Sequence, residues 1–230
     1  MNKHEAITSN ELIVTGRLVD ASNATLYAHV VHNDLELTCI YKPIAGERPL
    51  WDFPAGLYQR EVAAYLLSEA MDIHVIPPTI ERDGPFGIGS LQWFIDARFE
   101  EHYFTLYEAR EDLHDQFRNM AAFDIVANNT DRKSGHCLID NDDRIWGIDQ
   151  GLCFSAEFKL RTVIWEFGGE PIAPDLIAKI QRIVDRPPLE VAALLDADEI
   201  DAMIERASML AQGGMFPIDA SGQRYPWPMV

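Results

Sequence analysis

The hydrophobic pattern of the chain changes its period near the middle of the sequence. In the first hundred residues, apolar side chains tend to alternate with polar ones, and turn-forming residues separate the alternating stretches. The predicted strands cover residues 11–19, 25–31, 35–41, 78–82 and 90–96, and one predicted helix covers residues 56–71. This half therefore predicts a sheet of about five strands with one helix.

In the second half, apolar residues recur at helical spacing. The first predicted helix runs from about residue 113 to 128. A second begins near Pro174, a third ends at about Leu195, and a fourth covers residues 200–210 before Gly213. Two short strands, Cys137–Ile139 and 145–148, interrupt them. Strands followed by helices predict an α+β fold with a β-rich N-lobe over 11–96 and a mainly helical C-lobe over 97–214. Residues 1–10 are predicted to be a flexible tail and 215–230 an irregular one.

Composition excludes several classes of function. The chain has 230 residues and a formal net charge of −18, which argues against a general nucleic-acid binder and against stable association with an anionic membrane. No apolar run approaches the roughly 20 residues of a membrane span, and the first ten residues resemble no signal peptide. Three widely spaced cysteines form no CxxC pair, so we expect a cytoplasmic protein without a disulfide framework.

The densest polar cluster, residues 128–136, lies between an apolar helix and a strand. Asp131 lies in this cluster, and Asp149 follows a strand thirteen residues after its last residue, with Gly151 permitting a sharp turn. Two carboxylates at the ends of such elements suit a metal with phosphates: Asp149 would hold a divalent cation, and Asp131 would orient or deprotonate a hydroxyl. Either segment alone is better explained as ordinary turn residues. The two together favour one shared site.

Lys42 ends an apolar strand, and Glu61 follows it by nineteen residues on the predicted helix. A lysine on a strand and a glutamate on the helix packed against it can form an ion pair that aims the ammonium at a phosphate. Glu69, on the same helix, is a weaker candidate for that partner. The alternative for Lys42 is a solvated surface lysine.

The turn Ser22-Asn23-Ala24-Thr25 between two predicted strands could cover phosphates with backbone N–H groups. It lacks the glycines of a P-loop, and on local evidence a plain hairpin is the better explanation. The sequence has no HExxH motif and no GxSxG motif, so a zinc hydrolase or a serine hydrolase has little support.

The order of these parts resembles that of protein-kinase-like folds. The segment 124–132 resembles the corresponding stretch of type II phosphatidylinositol 4-kinases, and 148–154 is similar to their Asp-Asn-Gly-Leu-Ala-Phe segment. HipA-type toxin kinases share the general pattern. Small bacterial phosphatidylinositol 3- and 4-kinase-like proteins carry motifs similar to 22–25, 131–136 and 160–163. The resemblance spans about residues 11–172.

The resemblance implies a two-lobed, ATP-dependent phosphotransferase and assigns roles to its residues. Lys42 would contact the α- and β-phosphates of ATP and Glu61 would orient it, with Asp131 as the catalytic aspartate and Asp149 as the main Mg²⁺ ligand. Adenine would stack against the linker 92–96, with Trp93, Phe94 and Ile95 as candidates, while Ser22, Asn23 and Thr25 would cover the phosphates. Residues 154–170 would form the activation or substrate segment.

The sequence departs from the kinase pattern at the second metal position, where His136 stands in place of the usual Asn. Imidazole suits softer metals than Mg²⁺, so His136 either favours Mn²⁺, leaves one metal site empty, or contacts substrate. A plain loop histidine is the simpler alternative for this residue. The departure keeps a non-catalytic, nucleotide-binding pseudokinase open as a second function.

We expect the acceptor to be a protein or a small soluble hydroxyl compound, because the acidic chain shows no basic or apolar membrane face. A phosphoinositide kinase is the alternative that the motifs suggest. A third hypothesis is a binding module whose polar loops are only turns, which predicts no ATP binding.

Overall fold

The computed structural model describes residues 3–8, 11–18, 24–32 and 35–230. An antiparallel sheet occupies the first part of the chain, and its strands appear in the order β1-β2-β3-β5-β4. They are β1 (Leu12–Arg17), β2 (Leu26–His32), β3 (Leu35–Pro43), β4 (Thr79–Gly84) and β5 (Gly87–Trp93). The predicted five-stranded sheet is confirmed, with strand ends shifted by a few residues.

Helices dominate the rest of the described chain. They are α1 (Lys3–Thr8), α2 (Leu57–Ala70), α3 (Tyr103–Ala109), α4 (His114–Ala127), α5 (Pro174–Asp185), α6 (Leu189–Ala192) and α7 (Ala197–Gly213). A two-stranded ribbon, β6 (Cys137–Ile139) and β7 (Ile145–Gly147), follows α4. The predicted α+β class is correct. The lobe boundaries at residues 96 and 214 stay predictions.

The loose tail predicted for residues 1–10 is wrong for Lys3–Thr8, which form α1. Ala6 and Ile7 are buried, and α1 contacts β2, β4 and β5. This short helix covers one face of the sheet, where Ile7 packs in a cluster that includes Cys39 and Tyr41. The burial of two apolar residues therefore orders a segment whose composition looks polar.

Alternation along β3 decides which face Lys42 occupies. Cys39 and Tyr41 are fully buried on the face that α1 covers. Because successive side chains of a strand point to opposite faces, Lys42 lies on the other face, together with Ile40 and its cross-strand neighbour Tyr27. The strand pattern therefore directs Lys42 away from the core of the sheet and towards α2.

Helix α2 belongs to the larger hydrophobic core of the helical half. Its residues Ala63, Ala64 and Leu67 are fully buried in a cluster with Met120 of α4 and Met203 of α7. Glu61 lies on this helix and is only 3% exposed, so its carboxylate needs a partner.

Among the described residues, no helix combines the length and the apolar character that a membrane crossing requires.

Candidate active site

A cavity of about 880 Å³ lies between the sheet and the helical half. The sheet side contributes Thr25, Tyr27 and Lys42 to its lining, and the helical side contributes Asp131, His136 and Asp149. The candidate residues from distant parts of the sequence therefore face one space.

The ammonium of Lys42 is held between two carboxylates. Lys42 Nζ forms an ion pair with Glu61 Oε1, and it lies 3.0 Å from Asp149 Oδ1. Burial disfavours the charged form of Lys42, but Asp149 and Glu61 outweigh it and raise the pKa of the ammonium. The other oxygen of Glu61 accepts a hydrogen bond from the backbone N–H of Gln150 at 3.0 Å. Glu61 thus joins β3 to the segment that carries Asp149, whereas Glu69 is exposed and contacts His74 at 2.7 Å.

Asp149 lies at a sharp turn of the backbone directly after β7. Asp149 itself has a φ of 61°, and the turn expected at Gly151 follows it, closed by a hydrogen bond from the N–H of Cys153 to the carbonyl of Gln150 at 3.2 Å. Short polar residues such as Asp tolerate this left-handed conformation better than most others. The nearby ammonium of Lys42 holds the pKa of Asp149 well below its usual range, so the carboxylate is charged at neutral pH.

Asp131 follows α4 in a loop that is held in place by contacts between its own residues. Its N–H donates to Asn129 Oδ1 at 3.0 Å, and its carboxylate lies 3.1 Å from Lys133 Nζ. Burial raises the pKa of Asp131, while Lys133 opposes that shift. A carboxylate whose basicity is raised in this way is suited to accept a proton from a hydroxyl.

His136 faces Asp149 from a short 3₁₀ turn, Ser134–His136. Its Nδ1–H donates to the backbone carbonyl of Asp131 at 2.9 Å, and its Nε2 lies 3.7 Å from Asp149 Oδ2. Burial lowers the pKa of His136 to about 4, so the ring is neutral at neutral pH. One ligand atom each from Asp131, His136 and Asp149 lie within 4.8 Å of one another, which is a possible metal-binding group.

A buried ion pair supports this loop from behind. Asp124 of α4 and Arg132 are both fully buried, with Arg132 Nη2 at 2.9 Å from Asp124 Oδ1. Arg132 also donates to the carbonyl of Ile148 at 3.0 Å and to Gln150 Oε1 at 3.0 Å. It therefore links the Asp131 loop to the Asp149 turn. This pair was not among the predicted site residues, although Arg132 directly follows Asp131.

The remaining predicted residues differ in their placement. Thr25 lines the cavity, whereas Ser22 and Asn23 lie outside the described residues. Trp93, Phe94 and Ile95 are not among the residues that line it; Phe94 packs against Tyr27, which does, with ring centroids 5.9 Å apart. Their predicted contact with adenine stays a prediction.

The predicted activation segment, residues 154–170, lies against the Asp131 loop. The backbone N–H of Arg132 donates to the carbonyl of Arg161 at 3.1 Å, and that of Val163 donates to the carbonyl of Arg132 at 3.1 Å. The segment contains no α-helix. Its role stays a prediction.

Several charged residues that line the cavity were not among the predicted site residues, namely Arg17, Glu47, Arg48 and Lys133. Glu47 accepts hydrogen bonds from the N–H groups of Gly56 and Tyr58 at 2.8 and 2.9 Å, where α2 begins. Lys133 could have been identified as a site residue from its position two residues after Asp131. Arg17 and Arg48 stand in no motif.

Comparisons with known proteins show the fold and one relative. No family model matches the chain. The structure resembles that of hydra Fam20 with sugar, with a TM-score of 0.58, 11% identity, and coverage of 90% of this chain and 86% of that one. The Helicobacter pylori proinflammatory kinase CtkA gives a TM-score of 0.49 at 9% identity, covering 91% of this chain and 94% of that one. The likeness to hydra Fam20 shows the two-lobed kinase-like fold, while the resemblance to phosphatidylinositol 3- and 4-kinases stays a prediction.

Among curated proteins, Protein Rv2133c of Mycobacterium tuberculosis is 36% identical over an alignment of 264 residues. That alignment covers 99% of this chain and 95% of the relative. Such identity over nearly the full length of both chains shows common descent, and the chain belongs to the family of Protein Rv2133c.

Proposed function

We propose that the protein is an ATP-dependent phosphotransferase that moves the γ-phosphoryl group to a hydroxyl acceptor. The observation that carries this proposal is the ammonium of Lys42, held between Glu61 and Asp149 at the edge of the cavity. The fixed ammonium of Lys42 beside the carboxylate of Asp149, with the carboxylate of Asp131 in the same cavity, suits the binding of a phosphate chain. Phosphoryl transfer depends mainly on such positioning and charge neutralisation.

In this proposal, each half of the cleft contributes a different part of the nucleotide site. Lys42 contacts the α- and β-phosphates, and Glu61 keeps its ammonium in place. Ser22, Asn23 and Thr25 cover the phosphates, and adenine stacks near Trp93, Phe94 and Ile95. The support for this arrangement is that Thr25 and Lys42 line the same cavity as Asp131 and Asp149.

The donor set of the site fits a divalent cation. Asp149 offers a charged carboxylate and His136 an imidazole nitrogen, and both face the cavity. A bound Mg²⁺ or Mn²⁺ would neutralise the charge of the phosphates during transfer.

Asp131 acts on the acceptor. Its carboxylate accepts the proton of the acceptor hydroxyl while the hydroxyl oxygen bonds to the γ-phosphorus and the bond from that phosphorus to the bridging oxygen of ADP breaks. Burial, which raises the pKa of Asp131, makes the carboxylate a better base, and Lys133 at 3.1 Å holds it in position.

We propose a protein or a small soluble hydroxyl compound as the acceptor. The net charge of −18 disfavours an approach to anionic lipid, which a phosphoinositide kinase must make. The same charge disfavours nucleic acid as a partner.

The proposal is tested with γ-labelled ATP, in Mg²⁺ and in Mn²⁺, for the purified protein and its Asp131→Ala variant. Casein, a mixture of sugars and polyols, and phosphoinositide vesicles serve as acceptors, and free phosphate reports transfer to water. We expect transfer that the variant lacks. Transfer that is equal in the two proteins contradicts the role of Asp131, and label that enters only the lipid contradicts the proposed acceptor class.

A non-catalytic nucleotide-binding regulator is the second candidate, and His136 at the metal site is the observation that favours it. It predicts saturable ATP binding with no label transfer and no free phosphate in either metal. The same experiment, with ATP binding measured by calorimetry alongside it, separates the two candidates.

A further inference from the structure

We infer that His136 is a direct metal ligand, together with Asp149, and that this pair makes the site select Mn²⁺ over Mg²⁺. The inference rests on the proposed function, which gives the cluster its reason to hold a cation.

The hydrogen bonds of the imidazole determine which nitrogen is available. A backbone carbonyl can only accept, so the 2.9 Å contact to Asp131 O places the proton on Nδ1, and the 3.5 Å contact from the N–H of Lys133 to the same nitrogen is too long to compete with it. The lone pair of the neutral ring is then on Nε2. This is the arrangement of a ligating histidine, whose second nitrogen donates to a carbonyl and thereby fixes the orientation of the ring.

Nε2 faces Asp149 at a distance that suits a shared cation. The 3.7 Å between Nε2 and Asp149 Oδ2 is too long for a hydrogen bond. Two ligand atoms on one small divalent cation lie up to about 4.4 Å apart, since each bond is about 2.0–2.2 Å long. The other oxygen of Asp149, Oδ1, contacts Lys42 Nζ at 3.0 Å, so Oδ2 is the oxygen available to the cation.

Asp131 is the third member of the cluster, but its charge is already engaged. Lys133 Nζ lies 3.1 Å from Asp131 Oδ2, whereas Asp149 Oδ2 has Nε2 in front of it. The proposed ligands are therefore Asp149 and His136, and Asp131 remains available to the acceptor.

The chemistry of the two donors decides between the metals. Mg²⁺ takes hard oxygen ligands and gives up its waters reluctantly, so an imidazole in its first shell is unfavourable. Mn²⁺ accepts the same carboxylate and phosphate oxygens and, as a first-row transition metal, also binds imidazole nitrogen. A carboxylate with one imidazole therefore favours Mn²⁺.

The test uses Mn²⁺ alone as the probe, at one equivalent, with electron spin echo envelope modulation of the bound ion. The proteins are the wild type, His136→Asn, and the control His74→Asn. His74 is a matched control because it also faces carboxylates, Glu69 at 2.7 Å and Asp72 at 3.1 Å, but lies outside the cavity. Mg²⁺ is then titrated against bound Mn²⁺, and circular dichroism checks the fold of each variant.

We expect ¹⁴N modulation from a directly bound imidazole in the wild type and in His74→Asn, and its loss in His136→Asn. The preference for Mn²⁺ over Mg²⁺ should fall by at least about tenfold in His136→Asn and stay unchanged in His74→Asn. A wild-type spectrum without ¹⁴N coupling overturns the inference, even if His136→Asn does not fold. So does coupling that persists in a folded His136→Asn protein.

This readout requires no turnover, so the two proposals fail separately. Coupling without label transfer contradicts the phosphotransferase and leaves the metal ligand standing. Label transfer without coupling does the reverse.

Discussion

At the residue scale, a buried ion pair supports the candidate site. Asp124 and Arg132 are both fully buried, and Arg132 ties the Asp131 loop to the turn at Asp149. Asp124 also accepts hydrogen bonds from Asn129 Nδ2 at 3.0 Å and Thr162 Oγ1 at 3.2 Å. A buried pair of this kind is sensitive to the loss of one partner, because the other charge is left without compensation.

Asp124→Ala should therefore lower the free energy of unfolding by about 3–5 kcal/mol. Urea denaturation followed by circular dichroism measures the change. Asp112→Ala is the control, since Asp112 pairs with Arg110 at 2.7 Å on an exposed face and its loss should leave the midpoint nearly unchanged. Equal midpoints for the two variants would contradict the structural role of the buried pair.

The three cysteines should be inert in the folded protein. Burial raises the pKa of the Cys39 and Cys137 thiols to about 12 and also raises that of Cys153. Since the thiolate is the reactive form, we expect no reaction with Ellman's reagent at pH 8 until denaturant is added. A thiol that titrates within seconds in the native state would contradict the burial of these residues.

The same shifts give a pH dependence of stability. Because the folded-state pKa of Cys39 and Cys137 is raised from 9.0 to about 12, their contribution is complete below pH 9 and is lost as the pH rises towards 12. The urea midpoint should fall over that window, and less so in Cys39→Ala. If the urea midpoint of Cys39→Ala fell with rising pH as steeply as that of the wild type, this linkage would be contradicted.

The sequence allowed some residue roles to be predicted and not others. Lys42 and Glu61 follow from local patterns, because a strand end and a helix packed beside it place both side chains in one cleft. The pairing of Asp124 with Arg132 depends on tertiary burial, which spacing along the chain does not reveal. The positive φ of Asp149 was not predicted, since glycine is the usual residue for that conformation.

At the scale of elements, the position of Lys42 depends on the close pairing of β3 with β5. Lys42 is opposite Ser90, and a Cβ at Gly89 would lie 2.3 Å from the carbonyl oxygen of Lys42 and 2.6 Å from Pro43 Cα. Neither atom can move without shifting the strand. The absence of a side chain at Gly89 therefore sets the distance between β3 and β5.

Gly89→Ala should therefore destabilise the protein by about 1–3 kcal/mol, as expected for overpacking, and weaken ATP binding. Gly213→Ala is the control, because nothing lies within 4 Å of its added Cβ and its φ is not positive. Thermal unfolding and calorimetric titration with ATP measure the two effects. A Gly89→Ala protein that behaves like Gly213→Ala would show that the strands tolerate the extra methyl group.

Helices with a long periodic pattern were predicted well, and the short helices α1 and α3 were not. Helices α2, α4 and α7 each repeat an apolar spacing over several turns, so their type and approximate bounds follow from the sequence. Helices α1 and α3 have six and seven residues, too few for a clear period. Their stability comes from packing, as the burial of Ile7 and Tyr103 shows.

At the scale of the whole molecule, the irregular C-terminal segment 215–230 lies against the candidate site. The carbonyl of Met229 accepts from the N–H of Ser134 at 2.7 Å, and that of Arg224 accepts from Thr162 N at 3.1 Å and Trp165 Nε1 at 3.0 Å. Ser134 and Thr162 are buried, so these donors need partners. The segment is irregular, as predicted, yet it is part of the folded structure.

Removal of residues 221–230 should lower the free energy of unfolding by about 2 kcal/mol or more, because buried donors of the Asp131 loop and the 154–170 segment lose their acceptors. Urea denaturation of the truncated and complete chains measures the difference. Unchanged stability would contradict the structural role of these contacts.

The most direct test of the central claim is the rate of ADP formation from ATP in a double-mutant cycle. The four proteins are the wild type, Lys42→Met, Asp131→Ala and the combined variant. Each single change should lower the rate by at least about 100-fold, and the combined variant should be no slower than the slower single variant, because residues that act on one phosphoryl group do not contribute independently. Equal rates in all four proteins, or no ADP formation by the wild type in Mg²⁺ or Mn²⁺, would contradict the assignment of this cleft as a phosphoryl-transfer site.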